Sequence, residues 1–151
     1  MTFLPRLRLV LLLVFPLLVA GSGCGPKRPT TVPIRGLIML DGKPVAGAAV
    51  MLMPQFDGRP ALGVTSDSGE FTLTTFTDGD GAMPGKHIVT VTLQRTTGFV
   101  ADKDGLSGGV APEGVRQEWL VPQRYSDPKT SGLTAEVKAG MQPLRWELTS
   151  K

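Results

Sequence analysis

Short segments in which apolar and polar residues alternate recur along most of this chain, and such alternation is typical of strands with one buried face. In the clearest of them, residues 87–93, Val89, Val91 and Leu93 share one face, while Thr90 and Thr92 share the other. No window shows helical periodicity over three turns. Seven strands are predicted in all, over residues 34–40, 48–54, 61–65, 71–74, 87–93, 133–137 and 144–148. Seven short strands separated by turns predict an all-β fold, a single β-sandwich.

Turn signals separate the predicted strands. Asp41-Gly42 is a strong hairpin signal, and Thr65-Ser66-Asp67-Ser68-Gly69-Glu70 is a second turn. Residues 94–121 break the pattern, because they are rich in glycine and mixed charge without sustained alternation. We expect a long surface loop there, with a short ordered turn near residues 116–120. Loops of this length are uncommon in compact domains, and this one is either a binding element or a tolerated insertion.

The N-terminus has the order of a secretory signal. Arg6 and Arg8 precede the apolar run 9–20, and Gly21-Ser22-Gly23-Cys24 follows. A cysteine directly after small residues is typical of a bacterial lipoprotein signal, in which the thiol is acylated and cleavage makes Cys24 the new N-terminus. The apolar run is too short for a spanning helix, which needs about 20 residues. Because Gly21 stands where such signals usually carry an aliphatic residue, an ordinary secretory signal is the alternative.

Composition limits the remaining possibilities. Removal of residues 1–23 with their two arginines would leave one domain-sized piece with 14 basic and 13 acidic residues. This near balance, without a basic cluster, argues against a nucleic-acid partner. Cys24 is the single cysteine, so no intramolecular disulfide can form. Three prolines make residues 24–33 an extended tether ahead of the predicted sandwich at 34–151.

Two stretches, residues 36–48 and 65–71, resemble the signature turns of carboxypeptidase regulatory-like domains. Residues 79–87, 121–128 (Val-Pro-Gln-Arg-Tyr-Ser-Asp-Pro) and 130–134 are similar to segments of small lipoproteins abundant in planctomycete bacteria. The resemblance covers residues 34–149 and implies a seven-stranded prealbumin-like (transthyretin-like) sandwich. It implies little about activity. The hydrolases related to transthyretin carry several active-site histidines, whereas this chain has one, so their activity is not expected here.

The candidate chemical groups indicate no enzyme. His87 lies on the inward face of its strand, which favours a hydrogen-bonded structural imidazole, and one histidine excludes a histidine-rich zinc site. No serine lies in a Gly-x-Ser-x-Gly segment. Asp78 and Asp80 offer oxygen ligands for calcium, but two carboxylates fall short of a calcium-loop pattern and suit a tight turn equally. We therefore expect no catalytic residue, no bound metal and no cofactor.

Trp119 and Tyr125 are the candidate ligand contacts. They could form an exposed platform for a sugar or peptide, or Tyr125 could pack at the sandwich edge with its hydroxyl on the backbone. Two functions follow. We favour a lipid-anchored, non-catalytic cell-envelope protein whose sandwich is a structural or protein-interaction module. The alternative is a carbohydrate- or peptide-binding module that uses residues 94–125.

The expected partners are the membrane, through lipidated Cys24, and an envelope protein or polysaccharide. A diacylglyceryl group supplies the two chains that stable anchoring needs. Gly25 rather than aspartate follows Cys24, which resembles signals sent on to the outer membrane. We therefore expect a membrane-anchored lipoprotein on the periplasm-facing side of the outer membrane.

Overall fold

The computed structural model describes residues 29–97 and 116–151. Within these two ranges the chain forms ten strands and one short 3₁₀-helix, and no helix there has the length and apolar character needed to cross a bilayer. The all-β prediction is therefore confirmed. The elements are β1 (Arg35–Leu40), β2 (Lys43–Pro44), β3 (Ala49–Pro54), β4 (Ala61–Val64), β5 (Glu70–Thr72), β6 (Gly85–Thr92), β7 (Gln94–Thr97), β8 (Arg116–Trp119), the 3₁₀-helix (Gln123–Ser126), β9 (Leu133–Val137) and β10 (Leu144–Leu148).

Two four-stranded sheets form the body. Sheet I has the order β10-β1-β2, and β5 also pairs with β1; within it β1 and β10 run parallel, with Gly36 opposite Leu144. Sheet II has the order β4-β3-β6-β9 and its pairs are antiparallel. One hydrophobic core joins inward residues of both sheets, as expected for a sandwich. Its members include Ile38, Phe71 and Leu148 of sheet I and Val50, Leu52, Val89, Val91 and Val137 of sheet II.

The predicted hairpin at Asp41-Gly42 forms because both residues adopt positive φ. The angles are 49° at Asp41 and 77° at Gly42, the left-handed region that two-residue hairpin turns require. Asp and Gly tolerate this region better than other residues do. The turn pairs Leu40 with Lys43 and brings β2 onto the edge of β1.

The seven predicted strands are present, and β2, β7 and β8 are additional to them. The prediction of a loop over residues 94–121 is wrong at both ends. There β7 and β8 form an antiparallel pair, from Gln94 opposite Trp119 to Thr97 opposite Arg116. All four residues of β7 are exposed, so neither face shows the alternation by which a half-buried strand is recognised. Residues 98–115 lie outside the described part.

The body of the fold begins slightly before the predicted boundary at residue 34. Val32 is bridged to Ala82, with the Val32 N–H donating to the Ala82 carbonyl at 2.8 Å and the Ala82 N–H donating back at 3.0 Å. Val32 also packs against the core. The end of the predicted tether is therefore fixed to the sandwich, while residues 24–28 lie outside the described part.

Candidate functional site

Tyr125 is a structural residue rather than an open ligand platform. Its side chain is only 8% exposed. Its hydroxyl accepts a hydrogen bond from the Thr149 N–H at 3.1 Å, and the Arg124 guanidinium donates to the same oxygen at 3.1 Å. Burial raises the pKa of the Tyr125 hydroxyl, but the hydrogen bonds from Thr149 and Arg124 outweigh it and the pKa is lowered. The arrangement ties the 3₁₀-helix to the chain that leaves β10.

Arg124 reinforces this attachment. Its guanidinium carbon lies 4.6 Å from the centre of the Tyr125 ring, a cation–π distance. The guanidinium also donates to the Thr149 carbonyl and, at 3.0 Å, to the Thr149 hydroxyl. One arginine therefore holds both the ring and the strand end. Of the two positions considered for Tyr125, the sandwich edge is the one observed.

Trp119 does not share a platform with Tyr125. It is the last residue of β8, where it is partly buried opposite Gln94. Within residues 29–97 and 116–151, the paired aromatic rings are Phe56 with His87 and Phe71 with Trp146. The interpretation of Trp119 and Tyr125 as a joint exposed platform is therefore wrong.

Asp80 organises a loop and directs its oxygens at the protein backbone. Oδ1 accepts from the Thr75 N–H at 2.7 Å, and Oδ2 accepts from Phe76 and Thr77 at 3.0 and 3.1 Å. Burial raises the pKa of Asp80, and these N–H donors outweigh it, so the pKa lies below its usual range. Asp78 accepts one long hydrogen bond from the Thr74 hydroxyl, at 3.4 Å. The pair thus acts as a turn cap, and the geometry does not support the calcium alternative.

His87 is buried on the inward face of β6, as predicted, with 1% of its surface exposed. Its Nδ1 lies 3.0 Å from the Gly85 carbonyl, which can only accept, so Nδ1 carries the proton. Nε2 is buried and has no hydrogen-bond partner among the described residues, and the ring meets Phe56 edge-on at 5.5 Å. Burial lowers the pKa of His87, which therefore holds a neutral, structural imidazole.

A groove of about 730 Å³ crosses sheet I. Strand pairing explains its shape: on β1, Arg35 and Leu37 alternate with the buried Gly36 and Ile38 and so face outward. Leu37 has Glu70 of β5 on one side and Arg145 of β10 on the other, and Arg35 lies opposite Thr72. Val64 of β4, 66% exposed, and Pro143 add apolar surface.

The groove is suited to binding. Its charged lining residues are Arg35, Arg145 and Glu70. Its volume falls within the range of about 300–1,000 Å³ that is typical of ligand pockets. Glu70 accepts a hydrogen bond from the Ser68 hydroxyl at 3.2 Å. The Arg145 guanidinium lies 3.1 Å from the sulfur of Met39. The lining thus combines cationic donors with an apolar floor.

The sequence alone did not reveal this groove. Arg35 and Arg145 lie in alternating segments where an exposed arginine is ordinary, and only the parallel pairing of β1 with β10 places them on one face. Cys24, the predicted lipidation site, lies outside the described residues.

Comparisons with models of protein families, with curated proteins and with solved structures found no match for this chain.

Proposed function

We propose that this chain is a lipid-anchored, non-catalytic protein of the cell envelope, and that its sandwich acts as a protein-interaction module. The signal-like N-terminus that ends at Cys24 supports the anchor. The groove across sheet I carries the interaction role, because it is a concave, partly apolar surface with charged groups open to solvent. The resemblance to small planctomycete lipoproteins agrees with the anchor.

The roles of the titratable groups support binding over catalysis. His87 is buried with Nδ1 committed to a carbonyl, and Asp80 is committed to three backbone N–H groups. Among the described residues no group of three or more His, Cys, Asp or Glu side chains is placed to hold a metal ion. A general acid or base must reach a reacting proton in an accessible site, and neither His87 nor Asp80 is so placed.

We propose that the protein faces the periplasm from the outer membrane; Gly25 rather than aspartate after Cys24 supports the outer membrane and does not bear on the side. The carbohydrate- or peptide-binding alternative relied on residues 94–125. It receives less support, because Tyr125 is buried and bonded to Thr149. The groove is on sheet I, and none of its lining residues comes from residues 94–125.

Site-specific photocrosslinking in intact cells tests the interaction role. A photoreactive phenylalanine analogue replaces Leu37 at the groove floor, and in a matched control it replaces Thr134, exposed on β9 of sheet II. We expect a discrete crosslinked product in the membrane fraction of the native host from position 37 only. No product from position 37, or the same pattern from both positions, would contradict the proposal.

A further inference from the structure

We propose that the groove on sheet I binds an extended acidic peptide segment of the partner, an inference that rests on the proposed function and specifies its ligand. Arg35 and Arg145 both line the groove. The ion pairs among the described residues are Arg95–Glu118 and Lys138–Glu136, so neither groove arginine is neutralised by an acid there. Guanidinium groups present a planar fork that matches carboxylates, and arginines are therefore well suited to bind the acids of a ligand.

The two arginines lie on the same outward face of sheet I, where an extended chain can meet both. Arg145 lies opposite Leu37, and Arg35 is two residues before Leu37 on the same face. Strands about 4.8 Å apart with a rise of about 3.3 Å per residue place the two arginine Cα atoms about 8 Å apart. Alternate side chains of an extended peptide are about 7 Å apart. The Arg145 guanidinium lies beside Met39, two residues beyond Leu37, so the two charges are farther apart than the two Cα atoms. We therefore expect acids on one face of the ligand, two to four residues apart.

Glu70 makes the distribution of charge across the groove uneven. It is the one acid among the lining residues, and it lies across Leu37 from Arg145. The positive charge is therefore concentrated on the β10 side and at the start of β1. Glu70 opposes an acidic ligand, so its removal should strengthen binding, whereas removal of either arginine should weaken it.

The apolar lining favours a peptide over an acidic polysaccharide. Leu37, Val64 and Pro143 offer aliphatic surface to aliphatic side chains. Sugar rings bind best against open aromatic faces. The aromatic residue of the lining, Phe71, is only 3% exposed and stacks on Trp146 with ring centres 6.1 Å apart. No aromatic face of the groove is therefore open to a sugar.

Peptide binding to the purified full chain in non-ionic micelles tests the inference. The probes are a fluorescein-labelled peptide with valines and glutamates together on its alternate positions and threonine between them, so that valine and glutamate share one face, the same peptide with glutamine for glutamate, and polygalacturonate. At low salt the glutamate peptide should bind about a hundredfold more tightly than the glutamine peptide, the ratio expected for two charge-assisted hydrogen bonds, one at each arginine. Arg35→Gln and Arg145→Gln should each weaken binding about tenfold, and Glu70→Gln should tighten it.

Lys129→Gln is the matched control, since Lys129 is exposed and does not line the groove. Circular dichroism of each variant establishes that it is folded. The inference is overturned if the arginine variants match Lys129→Gln, if polygalacturonate binds in place of the peptide, or if millimolar glutamate peptide does not bind. Each of these results leaves the proposed function standing, because crosslinking from position 37 reports a protein partner of any charge.

Discussion

Leu37 on β1 lies directly opposite Arg145 on β10, in the parallel pair that joins the first and last strands of the sandwich. The same Leu37 lies opposite Glu70 on its other side. One aliphatic side chain therefore separates a cation from an anion at the floor of the groove. The mixed character of this surface follows from strand topology, because the three residues come from distant parts of the chain.

Gly36 allows β1 to pack on the core. A Cβ atom there would overlap Phe71 Cζ and would lie 2.7 Å from the Leu144 carbonyl oxygen. Gly36→Ala should therefore destabilise the protein by about 2 kcal/mol, the usual cost of overpacking. Gly42→Ala is the control: a Cβ meets nothing within 4 Å there but φ is 77°, so we expect about 1 kcal/mol from backbone strain alone. Urea unfolding measures both. A smaller loss for Gly36→Ala than for Gly42→Ala would contradict the packing account.

The alternation of residues is sufficient to predict seven of the ten strands, because it reports which face is buried. The bounds of β9 and β10 were predicted to the residue. The strands β7 and β8 were not predicted, because exposed strands carry no such signal. The one ion pair between them, Arg95–Glu118, is itself half exposed. The groove could not be predicted for another reason. It depends on which strands become neighbours in the sheet, and the periodicity of the sequence does not encode strand order.

Tyr125→Phe should lower the free energy of unfolding by about 1 kcal/mol. The substitution keeps the buried ring and removes the hydroxyl that accepts from the Thr149 N–H. Thr149→Ala keeps that N–H and loses the exposed hydrogen bond from Arg124 to the Thr149 hydroxyl, so it should cost less than about 0.5 kcal/mol. Equal effects of the two substitutions in urea unfolding would show that the hydroxyl is not the group that holds the 3₁₀-helix.

His87 should make the protein less stable in mild acid. The folded state holds a neutral imidazole with a lowered pKa, whereas the unfolded chain protonates near pH 6.5. Unfolding therefore takes up a proton below that pH, and stability should fall from pH 6.5 downward. His87→Phe, which keeps an aromatic ring and cannot be protonated, should flatten this dependence between pH 7 and pH 5. An unchanged slope in chemical unfolding would refute the assignment.

Asp80→Ala should destabilise the loop by about 2 kcal/mol at neutral pH, because three backbone N–H groups lose their acceptor. Asp78→Ala, which removes one long contact with Thr74, should cost far less. The lowered pKa of Asp80 means that its stabilisation is complete above about pH 4 and is lost as pH falls through the folded-state pKa. Calcium should not shift the Tm of either protein, and a calcium-dependent Tm in the wild type alone would reverse our conclusion about this loop.

The anchor is tested most directly by the intact mass of the protein in membranes. The full chain and its Cys24→Ser variant are expressed in a host that processes lipoproteins, and the membrane fractions are analysed side by side. We predict a mature chain that begins at Cys24 and carries added acyl chains, and we predict that the variant lacks this species. An unmodified soluble product that begins at another residue would contradict the account of a lipid-anchored envelope protein.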